Sequence, residues 1–472
     1  MISRSIFKAY DIRGIVGQTL DAEIVHDIGR AIASEAALQG QSAFVIGRDG
    51  RLSGPDFLAA LAVGIQAAGL DVIDLGLVTT PMVYYAAHAL ETHCGVMVTG
   101  SHNPPDYNGL KMVVGDHAIH GERIQALYQR IVDTDWVKGA GGYSQHDIGA
   151  SYIERIIGDV KLAVPMKIAV DCGNGVAGAF APALYRAMGC RVTELFCEVD
   201  GRFPNHHPDP AHPENLKDLI ECVTKTDVEI GLAFDGDGDR LGVVTKEGNI
   251  IYPDRQLMLF AREVLGRHPG QTIIFDVKCT RNLASLIREN GGHPLMWKTG
   301  HSLIKAKLRE TGAPLAGEMS GHIFFKDRWY GFDDGLYAGA RLLEILSEAK
   351  SRGEDPSALL NALPDSISTP ELQLKLGEGE NFRLIDVLQN DAPPQFRQMG
   401  ATEISLIDGL RVEYDDGFGL ARASNTTPVI VLRFEADNAL ALARIQEDFR
   451  RVILEAKPDA HLPFGRGMSS GS

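Results

Sequence analysis

One supersecondary pattern occurs three times in this sequence, and it restricts the possible fold more than any other feature. Each copy contains an apolar strand, a polar loop, a helix that ends near glycine and a second strand. The copies begin at residues 43–46, 167–170 and 272–275. Such units build layered α/β folds in which the strands pair largely in parallel. The repetition predicts three related α/β domains, and the alternative is a coincidental similarity between ordinary βα units.

The C-terminal part of the chain follows another plan. Acidic residues and prolines between positions 353 and 365 indicate a domain boundary near residue 361. Beyond it, the pattern predicts a β-hairpin around 415–417 and a long helix over 438–454. We therefore predict four domains, three of them α/β and the last α+β. Their predicted limits are 1–147, 148–250, 251–361 and 362–472.

Composition argues against several classes of protein. The net charge of −16 argues against a nucleic-acid partner, because a polyanion binds to a basic surface. The six cysteines include no Cys-x-x-Cys pair, so they are expected to be buried thiols of a reducing compartment. Neither a signal peptide nor an apolar run of membrane-spanning length is apparent. We expect a cytoplasmic protein with no membrane partner.

A stiff loop with the sequence TGSHNPP at 99–105 follows the apolar run 95–98. Its two prolines fix φ and remove two backbone donors, so neither a strand nor a helix can continue through them. Ser101 is therefore held at the end of a strand, where α/β proteins place ligands and catalytic groups. A plain strand-to-loop turn has the same composition, and this segment alone does not separate the two interpretations.

Three aspartates, Asp235, Asp237 and Asp239, alternate with glycine directly after the apolar strand 228–234. Their carboxylates can converge on one hard cation, and oxygen ligands of this kind suit Mg²⁺. An EF-hand calcium loop is excluded, because Arg240 and Lys246 stand where that loop needs glycine and glutamate. A solvated acidic turn is the remaining alternative.

Two further loops carry polar groups that suit a phosphorylated sugar. Glu318 and Ser320 are two positions apart, so an extended loop points both side chains the same way. A carboxylate and a hydroxyl in this arrangement can bind two neighbouring sugar hydroxyls, and His322 can move a proton near neutral pH. The segment RASNTTP at 422–428 offers a guanidinium, hydroxyls and backbone amides, which together make a phosphate cradle. Simple polar turns are the alternatives for both loops.

Taken together, the four loops make the chain similar to the α-D-phosphohexomutase superfamily, and within it to the bacterial phosphomannomutase/phosphoglucomutase branch. The motifs that carry the resemblance are TGSHNP at 99–104, DGDGDR at 235–240, GEMSGH at 317–322 and RASNTT at 422–427, in family order. The resemblance implies an α/β fold with four domains around a central cleft: three similar α/β domains with mixed sheets and a C-terminal α+β domain. It also implies reversible phosphoryl transfer between hexose 1-phosphate and hexose 6-phosphate of mannose or glucose. The intermediates would be a phosphoserine enzyme and a hexose 1,6-bisphosphate.

The resemblance also assigns expected roles to individual residues. Ser101 would carry the phosphoryl group, and its phosphate would complete the shell of one Mg²⁺ ion bound by Asp235, Asp237 and Asp239. Glu318 and Ser320 would bind the O3 and O4 hydroxyls of the sugar. The phosphate that is not transferred would be held by Arg422, Ser424, Asn425 and Thr426. Further residues would be Tyr10, Lys278, His301, Met319 and Gly321 for substrate binding, and Arg13, His102, Lys111, Arg240 and His322 for catalysis. Lys111 and His322 would be the candidates for proton transfer.

Two single residues bear on the substrate. Met319 resembles the mannose and glucose branch, whereas the phosphoglucosamine branch usually has Gln there, and Gly100 contrasts with the Ala common in other branches. A phosphoglucosamine mutase of the same superfamily is therefore one alternative, and a metal-dependent serine phosphatase is another. A Ser-His hydrolase is excluded because Ser101 does not lie in Gly-x-Ser-x-Gly. We expect a monomer that binds small phosphosugars, with hexose 1,6-bisphosphate as activator.

Overall fold

The computed structural model describes residues 2–425 and 427–464, and these residues form four β-sheets with helices packed around them. Short 3-10 helices lie at Arg4–Ile6, Val176–Ala179 and Pro213–Leu216. Among the helices described here, none combines the length and the hydropathy that a bilayer crossing needs.

The first sheet has seven strands. They are β1 (Ile12–Ile15), β2 (Ala43–Arg48), β3 (Asp71–Leu77), β4 (Gly95–Val98), β5 (Tyr107–Val114), β6 (His117–Ala118) and β7 (Tyr143–Gln145). The helices around it are α1 (Ala22–Leu38), α2 (Gly54–Ala67), α3 (Thr80–Ala89) and α4 (Glu122–Asp133). The strand order is β1-β5-β4-β2-β3-β7, and β6 pairs with β5. Because β5 pairs antiparallel with β4, Lys111 lies opposite Met97, close to the end of the strand that leads to Ser101.

The second sheet has five strands in the order β12-β11-β10-β8-β9. They are β8 (Lys167–Asp171), β9 (Arg191–Leu195), β10 (Ile230–Phe234), β11 (Leu241–Thr245) and β12 (Ile250–Ile251). Its helices are α5 (Gly149–Asp159), α6 (Ala181–Ala187) and α7 (Lys217–Lys225). The three aspartates lie in the turn between β10 and β11, whose last paired residues are Phe234 and Leu241.

The third sheet has four strands in the order β14-β13-β15-β16. They are β13 (Thr272–Asp276), β14 (His293–Trp297), β15 (Leu315–Gly317) and β16 (Ile323–Phe325). Its helices are α8 (Pro253–Arg267), α9 (Arg281–Glu289), α10 (His301–Thr311), α11 (Gly335–Ser351) and α12 (Pro356–Asn361). The loop with Glu318 and Ser320 joins β15 to β16.

The first three sheets share one topology, which confirms the predicted α/β class with mixed sheets and three similar units. Their common orders are β3-β2-β4-β5, β9-β8-β10-β11 and β14-β13-β15-β16. In each, two strands pair in parallel with a central strand, and the fourth pairs antiparallel with the third. The three predicted functional loops therefore occupy the same place in each unit, at the carboxyl end of the third strand.

The fourth sheet is antiparallel and has six strands. They are β17 (Ile367–Ser368), β18 (Leu372–Lys375), β19 (Glu403–Ser405), β20 (Leu410–Tyr414), β21 (Gly417–Ala423) and β22 (Val429–Ala436). Its helices are α13 (Glu380–Asp391), α14 (Pro393–Gln398) and α15 (Ala439–Ala456). The predicted hairpin is present as β20 and β21, and the last domain is α+β as expected.

Apolar packing joins the first three domains more closely than it joins the fourth. One buried cluster includes Val45, Ile168 and Ile273, which lie in the first, second and third sheets. The fourth domain has its own cluster around α15, and a small cluster that includes Val277 and Phe418 connects it to the third domain. The predicted domain limits stay predictions; the limit at 250 falls within β12, and the limit at 361 coincides with the end of α12.

Candidate active site

Ser101 is buried at the start of the loop between β4 and β5. Its backbone has φ 49°, the left-handed region that residues other than glycine rarely adopt, and such conformations are concentrated at functional sites. The amide of Ser101 donates to Thr99 Oγ1 at 2.7 Å. Its hydroxyl donates to Asp235 Oδ2 at 3.1 Å, and His102 Nδ1 lies 3.4 Å from the same Oγ. The first and second domains therefore meet at this serine.

The carboxylates of Asp235, Asp237 and Asp239 are fully buried and lie within 4.8 Å of one another. Lys111 Nζ donates to Asp237 Oδ2 at 2.7 Å and to Asp239 Oδ2 at 2.5 Å. Thr80 Oγ1 donates to Asp237 Oδ2 at 2.5 Å. One ammonium thus offsets part of the repulsion among three carboxylates.

The charges in this cluster shift one another's pKa values. Burial and the two neighbouring carboxylates raise the pKa of Asp235 well above its ordinary range. Burial acts in the same direction on Asp237, but the Lys111 ammonium brings the pKa of Asp237 below its ordinary value. Burial would lower the pKa of Lys111, and the aspartates more than reverse this, so that Lys111 is held in its charged form.

The aspartate cluster fits a divalent metal ion. Among the described residues, Asp237 Oδ1 and Asp239 Oδ1 are buried and make no hydrogen bond, although the His322 imidazole lies 3.4 Å from Asp239 Oδ1. Buried carboxylate oxygens without partners are costly, and a hard cation with oxygen ligands would satisfy them. Asp235 and the Ser101 hydroxyl lie beside these oxygens and can complete an oxygen shell. The donor set is one that could hold a hard metal cation.

His322 lies at the centre of a second polar cluster, in the loop between β15 and β16. Its Nδ1 is 3.0 Å from both Glu318 Oε2 and Ser320 Oγ, and its Nε2 is 3.4 Å from Asp239 Oδ1. Burial lowers the pKa of His322, but the Asp239 and Glu318 carboxylates outweigh burial and raise it to about 9. The imidazole thus links the sugar-binding candidates to the aspartate cluster and carries a proton at neutral pH.

A cavity of about 540 Å³ lies beside these clusters, and residues of all four domains line it; Ser101, Lys111 and His322, which contact the aspartates, are among them, whereas the aspartates themselves are not. Pockets of this size hold small-molecule ligands. The predicted site residues that line it are Tyr10, Arg13, Ser101, His102, Lys111, Arg240, His301, Glu318, Ser320, His322, Arg422, Ser424 and Asn425. Residues more than 400 positions apart in the chain are therefore brought to one cleft.

The fourth domain closes this cavity with the loop between β21 and β22. Arg422 Nε donates to Asp408 Oδ2 at 3.0 Å, and the amide of Thr299 donates to the same oxygen at 3.0 Å. Asn425 Nδ2 donates to the Tyr10 hydroxyl, which in turn donates to the carbonyl of Thr299 at 2.8 Å. Burial raises the pKa of Tyr10 to about 12, so the phenol stays neutral. Thr426, also predicted here, lies outside the described residues.

Three predicted binding residues are not among those that line the cavity. Lys278 Nζ pairs with Glu371 Oε1 at 2.6 Å and so connects the third domain to the fourth. The amide of Met319 donates to Asp276 Oδ1 at 3.1 Å. Gly321 adopts φ +107°, which only glycine tolerates well, and shapes the turn between β15 and β16. Their substrate-binding roles stay predictions.

Several polar residues of the site lie outside the motifs that the sequence offers. Thr80 orients Asp237, and Asp408 orients Arg422. Asp11 accepts a hydrogen bond from Arg13, which also donates to Asn103 in the Ser101 loop. In the sequence, the loop GRDGR at 47–51 is recognisable only as the polar loop of the first repeat, with no sign of a role in the site. In the structure, its Asp49 and Arg51 lie directly behind Ser101.

The chain matches four domain models in sequence order. They are phosphoglucomutase/phosphomannomutase alpha/beta/alpha domain I at residues 4–138, domain II at 150–248, domain III at 252–367 and the C-terminal domain at 371–452.

Curated relatives and solved structures agree with these matches. A phosphomannomutase/phosphoglucomutase of Pseudomonas aeruginosa is 56% identical over 460 residues, which is 98% of each chain. A phosphoglucomutase of Neisseria meningitidis is 59% identical over 466 residues, 98% of this chain and 99% of the relative. The crystal structure of a phosphoglucomutase/phosphomannomutase family protein from Burkholderia thailandensis is 64% identical, with a TM-score of 0.93, and the match covers 98% of this chain and 100% of that one.

Proposed function

Because the chain belongs to the phosphoglucomutase/phosphomannomutase family, we propose that it is a phosphohexose mutase that uses Ser101 as its phosphoryl carrier. The observation that carries this proposal is the 3.1 Å contact between Ser101 Oγ and Asp235 Oδ2 beside a cleft lined by all four domains. Phosphoryl transfer depends mainly on positioning and on neutralising charge, and a rigid serine beside converging polar groups supplies the first. Identities of 56–59% over nearly the whole chain support glucose and mannose phosphates as substrates.

The aspartate cluster would hold one Mg²⁺ ion through Asp235, Asp237 and Asp239. Bound there, the cation would neutralise charge on the phosphoryl group during transfer. Lys111, which is buried against two of these aspartates, brings a second positive charge to the same place. Arg240, whose Nε lies 3.7 Å from Asp235 Oδ2, adds a third.

The proposed transfer moves a phosphoryl group between Ser101 and the sugar. The bond from phosphorus to Ser101 Oγ breaks as a hydroxyl oxygen of the bound sugar phosphate forms the new bond, which gives a hexose 1,6-bisphosphate. The serine oxygen needs a proton and the attacking hydroxyl loses one. Lys111 and His322, which neighbouring carboxylates keep protonated, are the candidates for these proton transfers. One of them gives its proton to the serine oxygen and then takes up the proton that the attacking hydroxyl loses. Because the reaction is reversible, a group that donates in one direction accepts in the other.

The second half-reaction needs the bisphosphate in the opposite orientation. Arg422, Ser424 and Asn425, which line the cleft, would hold whichever phosphate is not being transferred, because both ends of the bisphosphate carry the same group. Glu318 and Ser320, which meet at His322, would bind sugar hydroxyls in both orientations. The contacts between the third and fourth domains include one small apolar cluster and polar pairs such as Lys278 with Glu371 and the Thr299 amide with Asp408. A small rotation that breaks some of these polar contacts would let the intermediate turn.

Finer features follow from the same proposal. We expect hexose 1,6-bisphosphate to act as an activator, because it restores the phosphate on Ser101 whenever that group is lost. We expect a monomer, because described residues of a single chain, from all four domains, form the cleft. We expect it in the cytoplasm, because its six cysteines are free thiols, as in a reducing compartment. A phosphoglucosamine mutase and a metal-dependent serine phosphatase are the competing activities, and Met319 favours glucose and mannose over glucosamine.

The test combines phosphate mapping with side-by-side assays. Intact-mass and peptide analysis of the purified protein should find phosphate on Ser101, and Ser101→Ala should lose mutase turnover. Glucose, mannose and glucosamine phosphates should be compared as substrates, with and without hexose 1,6-bisphosphate. A Ser101→Ala variant with full turnover would disprove the carrier role, and steady release of inorganic phosphate by the wild type would indicate the phosphatase.

A further inference from the structure

Arg51 is among the largest fully buried side chains of the molecule, with 1% of its surface exposed, and it lies behind the Ser101 loop. Its guanidinium donates four hydrogen bonds to backbone carbonyls of that loop. The accepting carbonyls are those of Ser101 at 2.7 Å, Asn103 at 2.6 Å, Pro104 at 2.5 Å and Tyr107 at 2.9 Å. Because the prolines prevent a regular strand or helix here, one side chain from another loop satisfies these carbonyls.

A second set of contacts holds the other side of the loop. Asp49 Oδ2 accepts from Thr99 Oγ1 at 2.7 Å, from the Gly100 amide at 3.3 Å and from Arg51 Nε at 3.3 Å. Asp49 Oδ1 accepts from the Arg51 amide at 3.0 Å. Arg51 and Asp49 therefore form one buried unit that orders the loop from Thr99 to Tyr107, including the left-handed Ser101.

The second domain encloses this unit. The ring of Phe203 lies 5.2 Å from the Arg51 guanidinium, in a cation–π contact. At Gly201 an added Cβ would lie 2.4 Å from the carbonyl oxygen of Gly50 and 2.7 Å from Arg51 Cα, so the two segments approach as closely as glycine allows. The aspartate loop belongs to the same domain, and there a Cβ on Gly236 would lie 2.3 Å from the carbonyl oxygen of Ser101. The carbonyl that Arg51 holds is thus packed against the aspartate loop.

We propose that Arg51 is a positioning residue for phosphoryl transfer: it fixes the backbone of 101–107 so that Ser101 Oγ keeps its place beside Asp235. The inference rests on the proposed function, and it adds a residue that is not among those lining the cleft. Its effect is geometric. Arg51 brings a planar fork of donors to four carbonyls, whereas a lysine would bring one nitrogen with three donors and could not span them.

The test compares Arg51→Lys with wild type in the full-length chain. Lysine keeps the positive charge beside Asp49 and removes the fork. We expect kcat for glucose 1-phosphate to fall by about 30-fold or more, because small displacements of a reacting group cost rate. KM should stay within about twofold, since Arg51 is not among the residues that line the cleft. The matched control is Arg202→Lys, at an arginine that lies between Gly201 and Phe203 of the second domain, with a side chain that is 73% exposed and pairs with Asp200. A folded Arg51→Lys protein with kcat within twofold of wild type would overturn the proposal.

A second measurement does not depend on activity. Hydrogen exchange should be at least about tenfold faster in Arg51→Lys at the amides of Ser101, Asn103 and Tyr107, each of which makes a hydrogen bond within the loop. Exchange in the fourth domain should not change. Unchanged exchange in a folded Arg51→Lys protein would overturn the proposal even if turnover fell.

A further variant covers the case in which Arg51→Lys does not fold. Phe203→Leu removes the ring that packs on the guanidinium, so that the guanidinium can move relative to the four carbonyls it holds. We expect a smaller loss of kcat, about threefold or more, with unchanged KM and faster exchange in the same loop; unchanged kcat and exchange would overturn the proposal. If wild type itself lacks phosphate on Ser101 and mutase turnover, the proposed function fails, whereas an active wild type with an equally active Arg51→Lys defeats only this inference.

Discussion

Lys111 Nζ lies 2.7 Å from Asp237 Oδ2, in a contact between the first and second domains where both side chains are buried. The same ammonium contacts Asp239, and all three aspartates of the cluster have their oxygens within 4.8 Å of one another. Removing one partner of a buried ion pair leaves the other charge uncompensated, at a cost of about 3–5 kcal/mol. Lys111 and a divalent cation therefore have overlapping effects on stability.

We expect Lys111→Met to lower the melting temperature strongly in EDTA and much less in excess Mg²⁺, because the cation then offsets the aspartates. The melting temperature of wild type should rise less when Mg²⁺ is added. Calorimetry of both proteins in EDTA and in Mg²⁺ measures the difference. Lys225→Met is the control, since Lys225 is exposed and pairs with Glu221 in its own helix. An equal Mg²⁺-dependent shift in wild type and Lys111→Met would contradict the overlap.

Asp408 orients Arg422 and also accepts from the Thr299 amide, so it holds the proposed phosphate loop against the third domain. Asp408→Asn keeps the size of the side chain and weakens both contacts. We expect KM for glucose 1-phosphate to rise about 5–20-fold with a smaller change in kcat, because the phosphate that is not transferred is bound in the ground state and the transition state alike. Steady-state kinetics measure both constants. Asp416→Asn, at an exposed pair with Arg444, serves as control, and a fall in kcat with unchanged KM would argue against this role.

Gly100 leaves no room for a side chain, because a Cβ there would lie 2.5 Å from Arg51 Cζ. Gly100→Ala should therefore displace the guanidinium and reduce kcat about tenfold or more. Combining it with Arg51→Lys should cost less than the sum of the two single changes, because both disturb the same contact. Gly158→Ala is the control, since an added Cβ there meets nothing within 4 Å. Additive losses in the double variant would contradict the coupling.

The fold was predictable because short, contiguous stretches of the sequence specify each of its strands, loops and helices. Each strand, polar loop and glycine-terminated helix of the three repeats is a short contiguous pattern, and the three equivalent sheets follow from repeating it. Asp235, Asp237 and Asp239 were predictable for the same reason, since three alternating carboxylates after an apolar strand have few uses besides a metal.

The supporting residues of the site were not predictable in this way. Arg51 meets the carbonyl of Ser101 across 50 positions and Thr80 meets Asp237 across 157, and no local pattern records such contacts. The ion pair of Lys278 is a similar case: the family resemblance predicts that Lys278 binds substrate, but no local pattern predicts that its buried ammonium pairs with Glu371 of the next domain. Which polar groups meet is decided by the packing of whole domains.

Asp334, which caps the start of α11, has a strongly shifted pKa although it is not among the residues that line the cleft. It is buried, and its carboxylate accepts from the Tyr152 hydroxyl at 2.9 Å and from the Tyr337 amide at 2.9 Å. Burial raises the pKa of Asp334 to about 7, and these two hydrogen bonds only partly oppose it. The folded protein therefore keeps a proton here that the unfolded chain releases near the ordinary aspartate pKa of about 3.9. Stability from this group is present at low pH and is lost as pH rises toward 7.

We expect Asp334→Asn to remove this pH dependence, because the carboxamide oxygen still accepts hydrogen bonds but cannot ionise. The free energy of unfolding of the variant, relative to that of wild type, should rise on the order of 3 kcal/mol from pH 4 to pH 8. At pH 8 the melting temperature of the variant should therefore compare with that of wild type several degrees better than at pH 4. Calorimetry of both proteins at the two pH values measures the gap. Asp386→Asn, at an exposed position of α13, should show a gap that does not change with pH. A gap between Asp334→Asn and wild type that does not change with pH would show that folding leaves the pKa of Asp334 unshifted, which contradicts this prediction.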